Sequence, residues 1–342
     1  MDFTTGGRFE VRITSADVGK RVSVRRLTEA GAPGEKFTDT VGVLTSWDGG
    51  VLSITRRGGE IVRIPESGLV AGKVVPDTPP RRRGPAARWD ELDRVAARGW
   101  PAVESVRLGD WELRWAGGFT RRANSVLAIG DPGLPLPRAL EEITAWYAQR
   151  GRPAYVQVST GAGGAQEQLA AELASRGWTR EVSALIRIAA LAPLADAAAD
   201  TGGERARVVL TRAVDEAWLS RYRRYEESAD EVLKVLGGGP SVWFATVPGG
   251  EEGTAPAAIG RCVIDGRWAG FAAIEVAPEH RRRGLATAVM AALARTALDE
   301  GASAAYLQVE SDNDVAGPLY DGMGFTTHHE YHHFRGPEGD AR

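Results

Sequence analysis

The stretch Val276-Ala277-Pro278-Glu279-His280-Arg281-Arg282-Arg283-Gly284-Leu285-Ala286 decides the fold of the second half of this chain. The apolar, alternating run from Trp268 to Val276 leads into it and predicts a β-strand. The Ala/Leu/Met-rich run from Leu285 to Leu298 follows it and predicts a helix. A basic turn between a strand and a helix aims backbone N–H groups at one point, supported by the positive end of the helix dipole. The pattern therefore predicts a site for a phosphate or pyrophosphate.

Residues 281–286, called the triple-arginine loop below, contain the features that such a site needs. Gly284 has no Cβ, so the backbone can approach an anion closely, and Ala286 is small enough for the same purpose. We expect the anion to be held by the loop and the start of the helix, which comprise Arg281, Arg282, Arg283, Gly284, Leu285, Ala286 and Thr287. The competing interpretation is an ordinary strand–helix connection with a solvated arginine cluster.

The residues downstream strengthen this interpretation. Ser303 to Glu310 predicts another strand, followed by Asn313, by Leu319-Tyr320 in a short helical stretch, and by Gly324-Phe325 before a last strand. This order resembles the Gcn5-related N-acetyltransferase (GNAT) family, whose acyl-CoA loop reads Arg/Gln-x-x-Gly-x-Gly/Ala. Arg281, Gly284 and Ala286 match that loop. The resemblance covers roughly residues 207–335 and implies an α/β protein, with the α+β GNAT fold and its mixed central sheet.

The resemblance implies an acetyl-CoA-dependent N-acetyltransferase that moves an acetyl group to a primary amine by direct attack in a ternary complex. It implies that the triple-arginine loop holds the CoA diphosphate and that main-chain N–H groups near Val276 polarise the thioester. It implies that Asn313 caps a turn and bonds the CoA chain, and that Tyr320 faces the CoA sulfur. A phenol of pKa ~10 can donate a proton to a thiolate of pKa ~8.5.

The group that removes the proton from the amine is open. Glu275 is the first candidate because it precedes the loop on the central strand; Glu310, Glu226 and Glu227 are alternatives, and any of them can be an ordinary surface charge. Part of the family has a carboxylate at the position of Gln308, but an amide cannot act as a base.

Two other routes to function are weighed against direct transfer. Cys262 is the one cysteine and has no nearby histidine, so a covalent acetyl-cysteine is not expected. A protein of another class, an acyl-CoA-binding sensor or scaffold without turnover, is the alternative. The presence of both Tyr320 and the triple-arginine loop favours the enzyme.

The remainder of the chain divides by composition. Residues 1–76 contain short β-branched runs separated by glycine turns and predict a small all-β SH3- or Tudor-like barrel. Residues 77–88 are rich in proline and arginine and predict a linker, and residues 190–206 predict a second, Ala/Asp/Gly-rich linker. Between them, residues 89–189 predict a further α/β segment. The resemblance implies that residues 207–335 form the acetyl-CoA-binding catalytic GNAT domain.

Residues 89–189 repeat the end of the chain. Tyr155-Val156-Gln157-Val158 parallels Tyr306-Leu307-Gln308-Val309, and Gly177-Trp178 parallels Gly324-Phe325. In place of the triple-arginine loop this segment has residues 130–137, whose prolines remove N–H donors. We interpret it as a degenerate GNAT-like half that binds no CoA and is structural or forms one wall of the acceptor pocket. A barrel followed by tandem halves resembles a group of actinobacterial-type acetyltransferases.

Bulk composition excludes several classes. Of 342 residues, 43% are hydrophobic and 25% charged, as in globular proteins, and the net charge of −3 gives no field that would attract nucleic acid. A single cysteine excludes an intrachain disulfide and, with no signal sequence or apolar membrane segment, favours a cytoplasmic location. Four histidines at 328, 329, 332 and 333 alternate between the faces of a strand, so we expect no metal site but a surface cluster. A homodimer is compatible with the sequence. The sequence does not indicate which amine is the acceptor.

Overall fold

The computed structural model describes residues 11–27, 37–55, 61–75, 85–197, 207–222, 229–249, 254–314 and 316–337. The chain divides into two compact units, residues 1–83 and 84–342. Glu226 and Glu227, two of the candidate bases, lie outside the described residues, as does most of the first predicted linker.

The first unit is a small antiparallel β domain. Its described strands are β1 (Arg21–Leu27), β2 (Phe37–Asp48), β3 (Val51–Thr55), β4 (Ile61–Pro65) and β5 (Leu69–Val74). They form one sheet in the order β4-β3-β2-β1-β5, in which the last strand pairs with the first. Within its described residues, the core contains seven buried aliphatic side chains, among them Val22, Leu44 and Ile54. This topology is compatible with the SH3- or Tudor-like barrel that the sequence predicts.

The second unit is built on one mixed sheet. Within the described residues its strands are β6 (Glu104–Leu108), β7 (Trp111–Trp115), β8 (Val126–Leu127), β9 (Tyr155–Thr160), β10 (Thr179–Ala190), β11 (Val209–Thr211), β12 (Ser241–Val247), β13 (Ala258–Asp265), β14 (Trp268–Val276), β15 (Ala304–Glu310) and β16 (Thr326–Arg335). Their order is β11-β12-β13-β14-β15-β10-β16-β9-β8-β7-β6. The helices are α1 (Trp89–Arg98), α2 (Leu136–Ala148), α3 (Glu167–Ser175), α4 (Leu191–Asp196), α5 (Glu216–Arg221), α6 (Ala229–Gly237), α7 (Leu285–Asp299) and α8 (Ala316–Gly322). None of these described helices is long and apolar enough to cross a membrane.

The two halves of this unit exchange their last strands. β8 pairs in parallel with β9, and β14 pairs in parallel with β15, so the repeated Tyr-x-Gln-Val segments lie on corresponding strands. β10, the last strand of the first half, pairs with β15 of the second half, and β16 pairs with β9 of the first. β10 and β16 also pair with each other. The halves therefore share one sheet and cannot separate without breaking it, a feature that the repeat alone does not indicate.

Alternation along the strands divides the core between the two faces of the sheet. On β13, Cys262 and Ile264 point into the cluster beneath α7, whereas Ile259 and Val263 point towards α5 and α6. The face that carries α5 and α6 also carries α1, whose buried residues pack on β10, β15 and β16. Helix α1 thus covers the sheet at the place where the strands are exchanged.

The prediction of a linker at residues 190–206 is wrong for the first residues of this range. β10 continues to Ala190, and α4 follows directly. Leu191 and Leu194 are buried in the cluster that α7 forms with the sheet. The alanine-rich composition that resembles a linker instead lets a short helix pack closely on α7.

The expectation of a surface histidine cluster is also wrong. His329, His332 and His333 are buried, because β16 lies in the middle of the shared sheet and not at an edge. His332 bonds the hydroxyls of Ser183 and Thr160 through its two ring nitrogens, at 2.7 and 2.8 Å. Among the described residues, no group of three or more His, Cys, Asp and Glu side chains is arranged to hold a metal ion.

Asp93 on α1 ties this helix to the exchanged strands. Its carboxylate lies 3.1 Å from Nε2 of His329 on β16 and accepts a hydrogen bond from the hydroxyl of Ser159 on β9. Asp93 and His329 are both about 1% exposed. A carboxylate this deeply buried is stable only while its partners are present.

We expect Asp93→Ala to lower the free energy of unfolding of the second unit by about 3–5 kcal/mol, because it leaves a buried imidazole and hydroxyl without their acceptor. Urea unfolding followed by tryptophan fluorescence measures the change. Glu91→Ala, an exposed position on the same helix, is the control and should cost less than about 0.5 kcal/mol. Equal losses in the two variants would show that the network contributes nothing.

Candidate active site

Strands β14 and β15 diverge in the centre of the sheet. Their parallel pairing runs only from Trp268, opposite Ala304, to Phe271, opposite Leu307, although both strands continue beyond it. At the same place β14 bulges away from β13, and Ala273 in the bulge has a φ of 51°. A bulge bends its strand and interrupts the ladder. Beyond Phe271, the edge of β14 that faces β15 is therefore left open.

A cavity of about 270 Å³ occupies this splay. On β15 the side chains of Tyr306, Gln308 and Glu310 line the cavity. Val309 also borders it, although it packs with Leu307 in the core beneath α7. Of the candidate residues from the sequence, four line the cavity: Glu275, Glu310, Asn313 and Tyr320. The splay thus brings together side chains from β14, β15 and α8.

Tyr320 is held over the cavity by α8. Its ring packs edge-on against Phe325 with the centroids 5.8 Å apart. Burial raises the pKa of Tyr320, and the nearby charge of Arg187 opposes this only in part. The phenol is therefore protonated at neutral pH and can donate a proton.

Arg187 on the exchanged strand β10 fixes the position of α8. Its guanidinium donates to the carboxylate of Asp321, to the carbonyl of Phe325 at 2.9 Å and to the carbonyl of Gly317 at 3.3 Å. The first half of the unit therefore supplies the residue that anchors the helix carrying Tyr320. Asn313 begins the same helix, because its Oδ1 accepts the N–H of Ala316 at 3.1 Å.

The two described carboxylates at the cavity lie at different positions. Glu275 lies on β14 beyond the bulge and is half-buried. Glu310 is at the end of β15 and is exposed. Between them Gln308 presents a buried Oε1 that has no hydrogen-bond partner in the described part of the chain. That oxygen is an acceptor facing the space that a substrate would fill.

The triple-arginine loop lies beyond the end of β14 and does not line the cavity. Val276 is the last residue of β14 and pairs with Ala258. A short 3₁₀ turn (Pro278–His280) follows, and then Arg281, Arg282 and Arg283, which are exposed. Arg282 has a φ of 62°, in the left-handed region that non-glycine residues seldom adopt.

Helix α7 begins without a side-chain cap. Gly284 is its N-cap residue with a φ of 75°, and Leu285, Ala286 and Thr287 form its first turn. The first N–H groups of a helix have no partner within it, so this N-terminus presents donors and a partial positive charge. Donors of this kind can bind an anion, which is the ligand that the sequence predicts here.

The corresponding loop of the first half has its donors occupied by carboxylates. The N–H of Asp131 donates to the side chain of Asp110 at 2.9 Å, and the N–H of Gly133 donates to the side chain of Asp131 at 2.8 Å. Helix α2 then begins with Pro135 as its cap and Pro137 in its first turn. Negative charge and missing donors therefore oppose an anion at this end of the unit.

Several residues of the cavity carry no motif in the sequence. Gly99, Trp100 and Arg122 belong to the first half and form one wall, while Tyr222 and Arg261 come from the second. Their local sequences give no signal of a site, because only the shared sheet brings them to the splay. The one signal in the sequence is Arg261 itself, because an arginine within an apolar strand indicates a buried charge with a specific role.

Arg261 organises the surroundings of this wall. It is fully buried and donates to the carbonyls of Leu236, Gly238 and Gly99 at 2.7, 2.9 and 2.8 Å. These carbonyls lie at the ends of α6 and α1, where a helix has free acceptors and partial negative charge. Burial lowers the pKa of Arg261 to about 10, so the side chain still carries its charge at neutral pH.

Comparison with known proteins identifies the class. A family model described as "Probable histone acetyltransferase Rv0428c C-terminal" matches residues 87–334. "Uncharacterized N-acetyltransferase YobR" of Bacillus subtilis is 28% identical over 261 residues, which are 71% of this chain and 96% of that protein.

Solved structures show the same fold. A GCN5-related N-acetyltransferase from Kribbella flavida superposes with a TM-score of 0.54 at 19% identity, over 74% of this chain and 96% of its own. A tandem GNAT protein from the clavulanic acid biosynthesis pathway superposes with a TM-score of 0.50 at 15% identity, over 76% of this chain and 91% of its own.

The family model and the sequence relative show that this is an N-acetyltransferase, and the solved structures show the GNAT fold with tandem halves. The chain belongs to the family of the Rv0428c C-terminal acetyltransferase domain. The match begins at residue 87 and covers both of the halves that share the sheet.

Proposed function

We propose that the protein transfers the acetyl group of acetyl-CoA to a primary amine by direct attack in a ternary complex, at the splay of β14 and β15. One observation carries this proposal. The short segment from Val276 to Leu285 joins the open end of β14 at the splay to the uncapped N-terminus of α7. The helix N-terminus suits the diphosphate of CoA, and the open edge of β14 suits its thioester. GNAT acetyltransferases in general use acetyl-CoA.

In the proposed reaction each group at the splay has one task. The triple-arginine loop and Thr287 hold the diphosphate, and Asn313 bonds the CoA chain. The nitrogen of the amine attacks the thioester carbon, and main-chain N–H groups near Val276 stabilise the oxyanion. The carbon–sulfur bond then breaks, and Tyr320 donates its proton to the leaving thiolate. The resulting phenolate recovers a proton from the positively charged nitrogen of the intermediate, directly or through water, which gives the neutral amide.

The attacking amine must lose a proton, which we assign to Glu275, directly or through a water molecule. An alkylammonium of pKa ~10 is protonated at neutral pH, so a carboxylate at the cavity is needed to accept this proton. Glu275 is half-buried close to the open edge of β14, whereas Glu310 is exposed. Glu310 remains the second candidate.

The surroundings of Cys262 support direct attack over a covalent acetyl-enzyme. Its side chain is fully buried in the core beneath α7, on the face of β13 opposite to the cavity. Burial raises the pKa of Cys262 to about 12, so the thiolate needed for attack does not form at neutral pH.

We further propose that one CoA binds per chain, in the second half. The N–H groups at the corresponding loop of the first half already donate to Asp110 and Asp131. A diphosphate there would have to displace two carboxylates of its own sign.

The description of the family names a histone, so a protein lysine is one class of acceptor to test. The experiment incubates the purified protein with acetyl-CoA and separate amines, including a lysine-containing histone peptide, polyamines and amino acids. A thiol reagent measures CoA release, and mass spectrometry identifies the acetylated product. We expect CoA release with at least one amine above the rate without amine. Release that is the same with every amine and with none would contradict the proposal.

A further inference from the structure

A second cavity of about 560 Å³ adjoins the cavity at the splay. Arg122 and Glu310 line both. The sheet register explains this continuity: Glu310 lies opposite Ala184 on β10, and Ala184 lies opposite Tyr331 on β16. Because neighbouring strands are about 4.8 Å apart, Tyr331 on the floor of the second cavity lies about 10 Å across the sheet from Glu310. A single elongated molecule can therefore occupy both cavities.

His333 lines the second cavity as a buried group that lacks a partner. Its side chain is 2% exposed, and neither ring nitrogen has a hydrogen-bond partner in the described part of the chain. Burial, and after it the charges of Arg122, Arg114 and Arg121, lower the pKa of His333 well below its usual value. The ring is therefore neutral, with one nitrogen able to donate. Buried polar atoms are seldom left unsatisfied, so a partner that enters the cavity is expected.

The loop at the rim of this cavity, residues 117–124, is held in a strained conformation. Thr120 has a φ of 52°, which is costly for a β-branched residue. Buried Asn124 fixes the loop: its Oδ1 accepts the N–H of Ala116 and Gly118 at 2.8 and 3.0 Å, and its Nδ2 donates to the carbonyl of Phe119 at 2.7 Å. Such strain persists where the surrounding structure imposes it, which is common at binding sites.

This loop brings positive charge to the rim. Arg122 donates from Nε to the hydroxyl of Tyr331 at 2.9 Å. The guanidinium of Arg152 packs against the backbone of the loop at Gly118. Arg121 is paired with Glu181 at 2.8 Å, but neither Arg122 nor Arg152 forms an ion pair within the described residues. Two guanidinium groups and an unsatisfied imidazole that line the same cavity form a set of donors suited to an oxyanion.

We propose that the second cavity holds the acceptor, and that the acceptor is a small primary amine that also carries an anionic group, a carboxylate or a phosphate. The anionic group binds Arg122 and Arg152 and accepts a hydrogen bond from His333. The amine end passes Glu310 and reaches the splay. This inference rests on the proposed function and adds the substrate class. A lysine-rich peptide does not fit, because it would bring positive charge to the arginines.

The test compares amines that carry an anionic group with matched amines that lack it, called acidic and neutral amines below. The pairs are γ-aminobutyrate with butylamine, ε-aminocaproate with hexylamine, and phosphoethanolamine with ethanolamine, and the third pair distinguishes phosphate from carboxylate. We expect kcat/KM for at least one acidic amine to exceed that of its neutral match about tenfold or more, the effect of one charge-assisted hydrogen bond. Arg152→Gln and Arg122→Gln should each reduce this preference, whereas Arg138→Gln, an exposed arginine on α2, should not.

A second readout does not depend on turnover. In protein labelled with ¹⁵N at histidine, the acidic amines should shift the ring signals of His333 in the presence of desulfo-CoA and in its absence, and the neutral amines should not. Equal kcat/KM within every pair, or His333 signals that no acidic amine moves, would overturn the inference. Failure to bind acetyl-CoA would contradict the proposed function instead, and the His333 titration would still test the cavity.

Discussion

Replacing Tyr320 by phenylalanine is expected to lower kcat about 100-fold or more while leaving the Kd for acetyl-CoA within about twofold of its original value. The substitution removes one hydroxyl and keeps the ring that packs on Phe325. Without this proton donor the thiolate must leave unprotonated, so the loss falls on the chemical step. Steady-state kinetics gives kcat, and calorimetry gives the Kd.

The matched control for this variant is Tyr306→Phe, which removes a phenol from the same cavity. Tyr306 lies on the paired part of β15, beneath the end of α1, and does not share α8 with Tyr320. We expect Tyr306→Phe to keep most of the rate. Equal losses of kcat in both variants would contradict a specific role for Tyr320 as the proton donor. A wild-type protein that binds acetyl-CoA but turns over no amine would favour the alternative of an acyl-CoA-binding sensor.

Replacing Gly284 by glutamate is expected to weaken acetyl-CoA binding about 100-fold or more. A Cβ at a φ of 75° strains the loop, and the new carboxylate lies where the diphosphate is expected. One pair of like charges at about 5 Å costs about 3 kcal/mol at an effective dielectric constant of about 20, which corresponds to about 100-fold in Kd. Calorimetric titration measures the change.

Two further variants at the same position separate charge from shape. Gly284→Gln has the size and the backbone strain of the glutamate variant without its charge, and we expect it to bind acetyl-CoA at least tenfold more tightly than Gly284→Glu. Gly284→Asn should be closest to wild type, because asparagine adopts left-handed backbone more readily than other residues. Unchanged affinity in Gly284→Glu would place the diphosphate elsewhere.

The sequence predicts much of the second half of the chain because its signals are local. The strand from Trp268 to Val276 has the observed bounds, and the helix that follows begins at Leu285 as expected. Gly284 adopts a left-handed conformation. Asn313 is a capping residue, but it caps the helix that follows it and not the turn that precedes it. Each of these outcomes depends on residues within a few positions along the chain.

The features that the sequence does not predict depend on pairing over long distances. The exchange of β10 and β16 joins residues more than a hundred positions apart, and no local pattern distinguishes it from two separate sheets. The exchange buries the histidines of β16 and brings Arg187 to α8. It also brings Arg122 to the cavity at the splay. Our inference about the substrate depends on this arginine, which lies outside the motif that identifies the family.

The most direct test of the central claim is a calorimetric titration of the purified protein with acetyl-CoA and, in parallel, with desulfo-CoA. We predict micromolar binding of both at one site per chain, because the N-terminus of α7 is open to the diphosphate and the loop of the first half is occupied by carboxylates. Two equivalent sites per chain would contradict the assignment of a degenerate first half. No binding by a folded sample would contradict acetyl-CoA-dependent transfer at this site.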